Sequence, residues 1–414
     1  MVVGEIADDW LAERFRFLER DEPPPRAEER VPPESALLDR LEEKARAARP
    51  QAQIGAERRQ QVCGDLGRRH LHRLPNMAIP PLLDALLRAH GPVGHEHLAH
   101  DVVRSALAGV AEVETDAIGN LVARRAGDTG APRLALFAHL DVVGLAVSHI
   151  GDDGLLSVHA LAPWHAAIAY GQRVEIWTAH GARPGVVALR SADAEKIEWS
   201  SLYVDIGARS GEEARELAAP GDPMIPIAPP LELAAGRVSS RSLDNRAGVY
   251  VALEVFRRLE GEGVALIAAA HEELGGHGSR VAAHALRPEV AIAIDVTYAT
   301  DVPGGDAHEA GAHRLGGGVA IFRGPTVHPR VYELLVEAAR DEGISTTVET
   351  GSKTATDADS VFASGNGIPC GVVSIPLRNM HSPIEIVELA DLEACVRLVV
   401  AFARLLEPGA SFAR

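Results

Sequence analysis

The chain holds only three cysteines, Cys63, Cys370 and Cys395, widely spaced and with no C-x-x-C pair. That excludes a disulfide framework and a zinc–thiolate site, and leaves each cysteine as a small apolar filler. Aromatic residues make up 4% of the sequence, so stacking platforms for sugars are few. No apolar stretch reaches the roughly 18–20 residues that span a bilayer without a charge or turn signal, so no membrane is expected as a partner. Basic charge is scarce as well: 41 Lys and Arg stand against 58 Asp and Glu, a net charge of −17. Phosphate binding needs clustered cations, so nucleic acid is excluded on the same ground. The first residues, Met1 to Asp9, are acidic and lack the basic-then-apolar order of a signal peptide. A cytoplasmic address is expected.

What is present is a sequence of ordinary hydrophobicity, 46%, over 414 residues, enough for one large or two moderate cores. Residues 1–76 stand apart, with Pro23-Pro24-Pro25, Pro32-Pro33 and dense Arg and Glu. Helical periodicity covers Asp9–Arg20 and Pro33–Ala48, and the segment reads as a partly helical or disordered accessory extension. Met77 is a second candidate start. From Ala78 the spacing predicts helices over Pro80–His90 and Glu96–Ala108, then strands Val113–Thr115 and Asn120–Arg125 around the turn Asp116–Gly119. Short alternating segments follow at Leu155–His159, Gln172–Thr178, Gly185–Leu189 and Leu202–Ile206, a pattern that suggests a small β-rich domain over residues 146–235. It interrupts an α/β domain assembled from residues 77–145 and 236–408. The later helices are expected at Arg246–Leu259, Pro329–Glu342, Thr356–Ser364 and Ala390–Leu406. The fold class is α/β, a mixed, mostly parallel sheet flanked by helices, with an inserted small β-barrel-like domain.

Five candidate metal or catalytic positions fall at structural boundaries. The apolar run Leu134–Ala138 ends in His139-Leu140-Asp141, and Val264–Ala270 ends in His271-Glu272-Glu273. Val290–Ile294 ends in Asp295, and Val372–Ile375 leads on to His381. Asp244 stands just before the helical pattern at Arg246. Continuous apolar runs of this length read as buried parallel strands, and open α/β sheets bind ligands beyond the carboxyl ends of such strands.

Two imidazoles and several carboxylates at one sheet edge have the chemistry of a two-metal hydrolase. Asp244 is the bridging candidate, since both of its oxygens can be used. His139 and Asp295 would complete one site, Glu273 and His381 the other. Glu272 and Glu273 are adjacent and point in different directions, so one can bind metal while the other faces the water as general base. Asp141, two residues after His139, is expected to accept the second ring proton of that histidine. Singly, such residues are more often turn or capping groups, and Glu272-Glu273 could be a solvated pair. His271, His277, His149, His159 and His165 read as surface or pocket-wall residues. Gly316-Gly317-Gly318 lacks both the G-x-G-x-x-G order and a following helix, so it reads as a turn before Val319–Ile321. The shared strand-edge pattern is what favours a site.

With these residues placed, the chain resembles the tetrahedral aminopeptidases, the cobalt- or zinc-dependent glutamyl and deblocking enzymes, some once described as endoglucanases. The matching stretches include Asp116–Asn120, Ala138–Asp141, Leu202–Ala208, Gly221–Pro223, Leu243–Gly248, Glu272–Gly275, Asp295–Thr297, Asp301–Gly304, Thr356–Ala358 and His381–Pro383. They occur in consistent order between Ala78 and Leu406. The resemblance implies His139, Asp244 and Asp295 on one divalent ion and Asp244, Glu273 and His381 on a second, with Glu272 as base and Asp141 as an orienting carboxylate. It also implies zinc or cobalt, with manganese acceptable to the same donors. Short peptides would be the substrates, and the inserted domain would help build a homo-oligomer, from a dimer up to a dodecamer.

Three departures stand out: Val142 where an acidic residue is usual, His271 where a Gln is frequent, and the extension before Met77. A related dinuclear dipeptidase or deacylase is an alternative that the His139–Val143 stretch would also suit. Glycoside hydrolysis is a further one, but it needs opposed carboxyls about 5–9.5 Å apart around a sugar. Arg378 and Lys353 are candidate walls of the pocket for the N-terminal side chain.

Overall fold

The computed structural model describes residues 78–406 and Phe412, apart from residues 192–195, 262 and 352–354. The expected extension over residues 1–76, its two helical pieces, Met77 and Lys353 lie outside the described residues.

An eight-stranded sheet organises the α/β part. Its strands are β1 (Glu112–Thr115), β2 (Leu121–Arg124), β3 (Leu134–His139), β12 (Val264–Ala269), β13 (Val290–Tyr298), β14 (Val319–Phe322), β15 (Thr346–Glu349) and β16 (Cys370–Leu377). They lie in the order β1-β2-β12-β3-β13-β16-β14-β15. The central four are mutually parallel, while β2 runs antiparallel at one side and β14 at the other. This is the mixed, mostly parallel sheet expected from the apolar runs.

Every residue of β3 and β12 is buried, because both faces of the sheet are covered. The two-residue period of a strand divides them between two cores. Leu134, Leu136 and Ala138 face the helices Leu243–Arg258 and Leu389–Leu405. Ala135 and Phe137 face the helix His277–Leu286. Burying a leucine of this kind contributes about 1.5–3 kcal/mol, and Leu136→Ala would cost about 2–5 kcal/mol.

Between β3 and the helix Leu243–Arg258 the chain closes a six-stranded antiparallel barrel. Its strands are β4 (Gly144–Ile150), β5 (Leu156–Leu161), β6 (Arg173–Thr178), β7 (Gly181–Leu189), β8 (Leu202–Asp205) and β9 (Pro223–Pro226), closed in the order β4-β5-β8-β7-β6-β9. Leu145, Val147, Val174, Ile176, Val204 and Met224 fill it. Four of these strands overlap the expected segments; β4 and β9 do not. β9 begins and ends with proline, which counts against a strand when the sequence is read alone. Closure of the barrel supplies the pairing that overrides this.

A small sheet, β10 (Leu231–Leu233), β11 (Arg237–Ser240) and β17 (Glu385–Glu388), completes the strands. The expected helix Glu96–Ala108 is split into a 3-10 turn over Glu96–Ala99 and an α-helix over His100–Leu107. Among the described residues, no helix is long and apolar enough to cross a membrane.

Candidate metal centre

The parallel register puts His139, the last residue of β3, opposite Ala269 of β12. The chain beyond β12 therefore delivers Glu272 and Glu273 to the same edge. Asp295 lies in β13, two residues past Ala293, which pairs with Phe137 of β3, so it stands level with His139. His381 follows β16 by four residues. Asp244 sits at the start of the helix Leu243–Arg258, where Asp244 and Asn245 depart from helical dihedrals and the peptide between them is cis. Asn245 pins this turn to β13, donating to the Ile294 carbonyl at 2.8 Å and accepting the Gly248 N–H at 2.9 Å. Gly248 is needed for that approach, since a Cβ there would lie 2.6 Å from the Ile294 oxygen.

The structure brings six of the seven expected side chains into one cavity of about 740 Å³, His139, Asp244, Glu272, Glu273, Asp295 and His381, while Asp141 does not line it. Asp244 turns one oxygen to each histidine. Its Oδ1 is 3.2 Å from His139 Nε2, and its Oδ2 is 3.4 Å from His381 Nε2. Asp295 Oδ1 lies 3.7 Å from His139 Nε2, and Glu273 Oε2 lies 3.3 Å from His381 Nε2. Two donor groups result, His139–Asp244–Asp295 and Asp244–Glu273–His381, each with its ligand atoms within 4.8 Å of one another. Glu272 Oε2 stands 3.8 Å from His139 Nε2 and belongs to neither group.

Asp141 corrects an expectation. Its carboxylate does not hold the His139 ring: the nearer oxygen is 3.8 Å from Nδ1, and the Asp141 backbone carbonyl takes that place at 3.0 Å. A carbonyl can only accept, so Nδ1 carries a proton, and Nε2 is the ring atom turned to the cavity. The Asp141 carboxylate instead accepts the backbone N–H groups of Glu272 and Glu273, both at 3.0 Å. The two glutamates do not form an extended pair either. His271 has a left-handed φ of 56°, and Gly275 and Gly276 donate back to the Glu272 carbonyl in a turn. The turn separates their side chains, and Asp141 fixes its backbone.

Three supporting residues were given no role in the sequence reading, although Asn120 stood in the matching stretch Asp116–Asn120. Glu385, buried in β17, accepts the Asp244 N–H at 3.1 Å with one oxygen and the His381 N–H at 2.9 Å with the other. Its placement follows from β11–β17 pairing, which sets Glu385 opposite Ser240, just ahead of the Asp244 turn. Asn120 accepts the Ala270 N–H at 2.8 Å and donates to the Gly278 carbonyl at 2.9 Å, holding both ends of the glutamate turn. Pro163, from the loop after β5, presents its carbonyl 2.8 Å from His381 Nδ1. Arg378 is paired with Asp301 through two hydrogen bonds of 2.9 and 2.6 Å.

The electrostatics call for cations. Burial, with the Asp244 charge beside it, raises the Glu273 carboxyl well above the usual range; burial likewise raises Glu272 and Asp295. Burial works against a charge on His139, yet the Glu272 field and the bonds to Asp244 and Asp295 hold its pKa well above the ordinary value. Glu273 Oε1 is buried without a hydrogen-bond partner among the described residues. Four acids share two imidazoles here, and neither Lys nor Arg lines the described wall. Buried carboxylates in that excess require metal or protons. Imidazole and carboxylate donors in groups of three, with room left for water and substrate, fit catalytic divalent ions.

Residues 119–398 match the M42 glutamyl aminopeptidase family. The lysyl aminopeptidase of Pyrococcus furiosus is 34% identical over 344 residues, covering 79% of this chain and 97% of its own length. An aminopeptidase from the archaeon Desulfurococcus kamchatkensis superposes with a TM-score of 0.73 at 35% identity, over 78% of this chain and 93% of that one. The Pyrococcus horikoshii TET1 peptidase, which can assemble into a tetrahedron or a large octahedral shell, gives a TM-score of 0.70 at 29% identity. That match covers 78% of this chain and 99% of the relative.

Proposed function

The chain belongs to the M42 glutamyl aminopeptidase family and is an aminopeptidase, and from that premise we propose that it removes N-terminal residues from short peptides at a centre built for two divalent ions. The observation that carries this reading is Asp244, whose two oxygens face two different histidines. His139, Asp244 and Asp295 would hold one ion, and Asp244, Glu273 and His381 the other. Zinc or cobalt suits these donors, and manganese is compatible with them. Bound there, such ions would lower the pKa of water and polarise the scissile carbonyl.

The chain's own groups then divide the remaining work. Glu272 takes a proton from the attacking water at its carboxylate and returns it to the leaving nitrogen. Burial raises this carboxyl above the ordinary carboxylate range, which makes its ionised form a stronger proton acceptor. Asp141 keeps Glu272 and Glu273 in place through their backbone N–H groups. The Asp141 and Pro163 carbonyls hold the two histidines by Nδ1, so that Nε2 of each is the atom that would bind an ion on losing its proton.

Assembly into a homo-oligomer is part of the same reading, supported by the shells formed by the Pyrococcus horikoshii relative. A cytoplasmic address is also part of it.

The test is turnover of a panel of aminoacyl chromogenic amides by protein stripped of metal and then reloaded with zinc, cobalt or manganese. Activity that disappears on stripping and returns with metal is the expected result. No turnover under any loading would overturn the reading, and full turnover after stripping would overturn the role given to the ions.

A further inference from the structure

The catalytic cavity has a neighbour. Trp164 and His165 line it, and the same two residues line a second, open cavity of about 430 Å³ together with Ile197 and Trp199. Trp164 is buried and Trp199 half-buried, with ring centroids 5.6 Å apart and planes tilted by 53°. The chain has only four tryptophans and an aromatic share of 4%, so half of its tryptophans border this one space. At the rim, Lys196 and Glu198 pair at 2.8 Å and cancel each other's charge. An aromatic wall beneath a rim whose described charges, Lys196 and Glu198, are paired suits an apolar or aromatic group better than a charged one.

The chemistry of an exopeptidase says what would lie there. Only the first residue of the substrate needs an enclosed pocket, and the rest of the peptide must run away from the centre over some surface. The loop Pro163–His165 is fixed directly against the candidate ligand His381 through the Pro163 carbonyl, at 2.8 Å from Nδ1. A peptide whose scissile bond lies at His381 passes close to Trp164. We infer that the Trp164–Trp199 cavity binds the part of the substrate on the C-terminal side of the scissile bond, and that it favours an apolar or aromatic side chain there. The inference rests on the aminopeptidase reading and adds to it a preference for the residue after the one removed. If Trp199 serves only as a packing group over Trp164, no such preference exists.

The experiment uses the full, metal-loaded chain. It compares a leucyl chromogenic amide with tetrapeptides Leu-Xaa-Gly-Gly in which Xaa is Gly, Phe or Asp. Wild type should show kcat/KM about fivefold to tenfold higher for Phe than for Gly or Asp, mostly through KM. Trp199→Ala should bring the Phe-to-Gly ratio to about one. Trp199→Leu keeps apolar bulk against the barrel and should lower the ratio several-fold, which decides the matter if the alanine variant does not fold. Equal turnover of the Phe and Gly peptides by wild type, with the amide still hydrolysed, would overturn this inference alone. An unchanged ratio in a folded Trp199 variant would do the same. Failure to hydrolyse the amide and every peptide would overturn the aminopeptidase reading, and this inference with it.

Discussion

The Pro163 carbonyl lies 2.8 Å from His381 Nδ1, joining the loop after barrel strand β5 to a candidate metal ligand of the α/β sheet. A prolyl carbonyl can only accept, so His381 donates from Nδ1 and turns Nε2 toward Asp244 and Glu273. The inserted barrel thus has a part in the centre as well as its own core.

His381→Ala removes the single imidazole of the second donor group and leaves two carboxylates behind. Metal content measured by atomic emission should fall from two ions per chain toward one, with the His139 group still loaded. Unchanged stoichiometry would remove His381 from the ligand set.

Glu272→Gln keeps the volume and hydrogen-bonding reach of the side chain but cannot take up a proton at neutral pH. Turnover should fall by about 10²–10⁴-fold with metal content preserved. Near-normal kcat in the glutamine variant would show that another group moves the proton.

Glu385→Gln tests a contact that would reach the ions only through the backbone of Asp244 and His381. An amide can accept only one of the two N–H groups that Glu385 now receives from Asp244 and His381, and its own NH₂ faces the other. Metal affinity should weaken about 10–100-fold, the range expected for loss of a group that positions ligands. Competition against a chromogenic chelator measures this without any assay of turnover; wild-type affinity would show that the Asp244 and His381 turns hold themselves.

Asp391 supplies a pH test away from the centre. Burial pushes its carboxyl up to about 6, although the N–H groups of Gly316 and Gly318 pull the other way. Its unfolded value is about 4, so the folded chain binds the extra proton between about pH 4 and pH 6. Stability owed to this group therefore falls as pH rises through that window, by about 2–3 kcal/mol in all. Denaturant unfolding of wild type and Asp391→Asn at several pH values should show wild type losing about 2–3 kcal/mol relative to the variant toward high pH as its carboxyl ionises. A constant offset would mean that Asp391 titrates alike in the folded and unfolded chains.

Much of the fold was legible because the central strands are buried on both faces and so must be apolar throughout. Leu134–Ala138 and Val264–Ala270 could hardly be read as anything else, and their carboxyl ends identified the edge where ligands gather. The four barrel segments recognised were those whose alternation or turn residues marked them. Pro223–Pro226 escaped because its pairing partners lie in distant sequence.

Composition and residue order alone determined that the chain is acidic, mostly without cysteine chemistry, built on a parallel sheet, and equipped with imidazoles and acids at strand ends. Periodicity reports burial, and burial is a local demand on each residue. Only tertiary structure decided which partner each polar atom meets. The Asp141 carboxylate was expected on a histidine and is found on two backbone N–H groups; Glu385 went unnoticed and holds the Asp244 and His381 turns together. Hydrogen bonds of this kind depend on register and on a few tenths of an ångström between segments far apart in the chain, and no one-dimensional pattern encodes those distances.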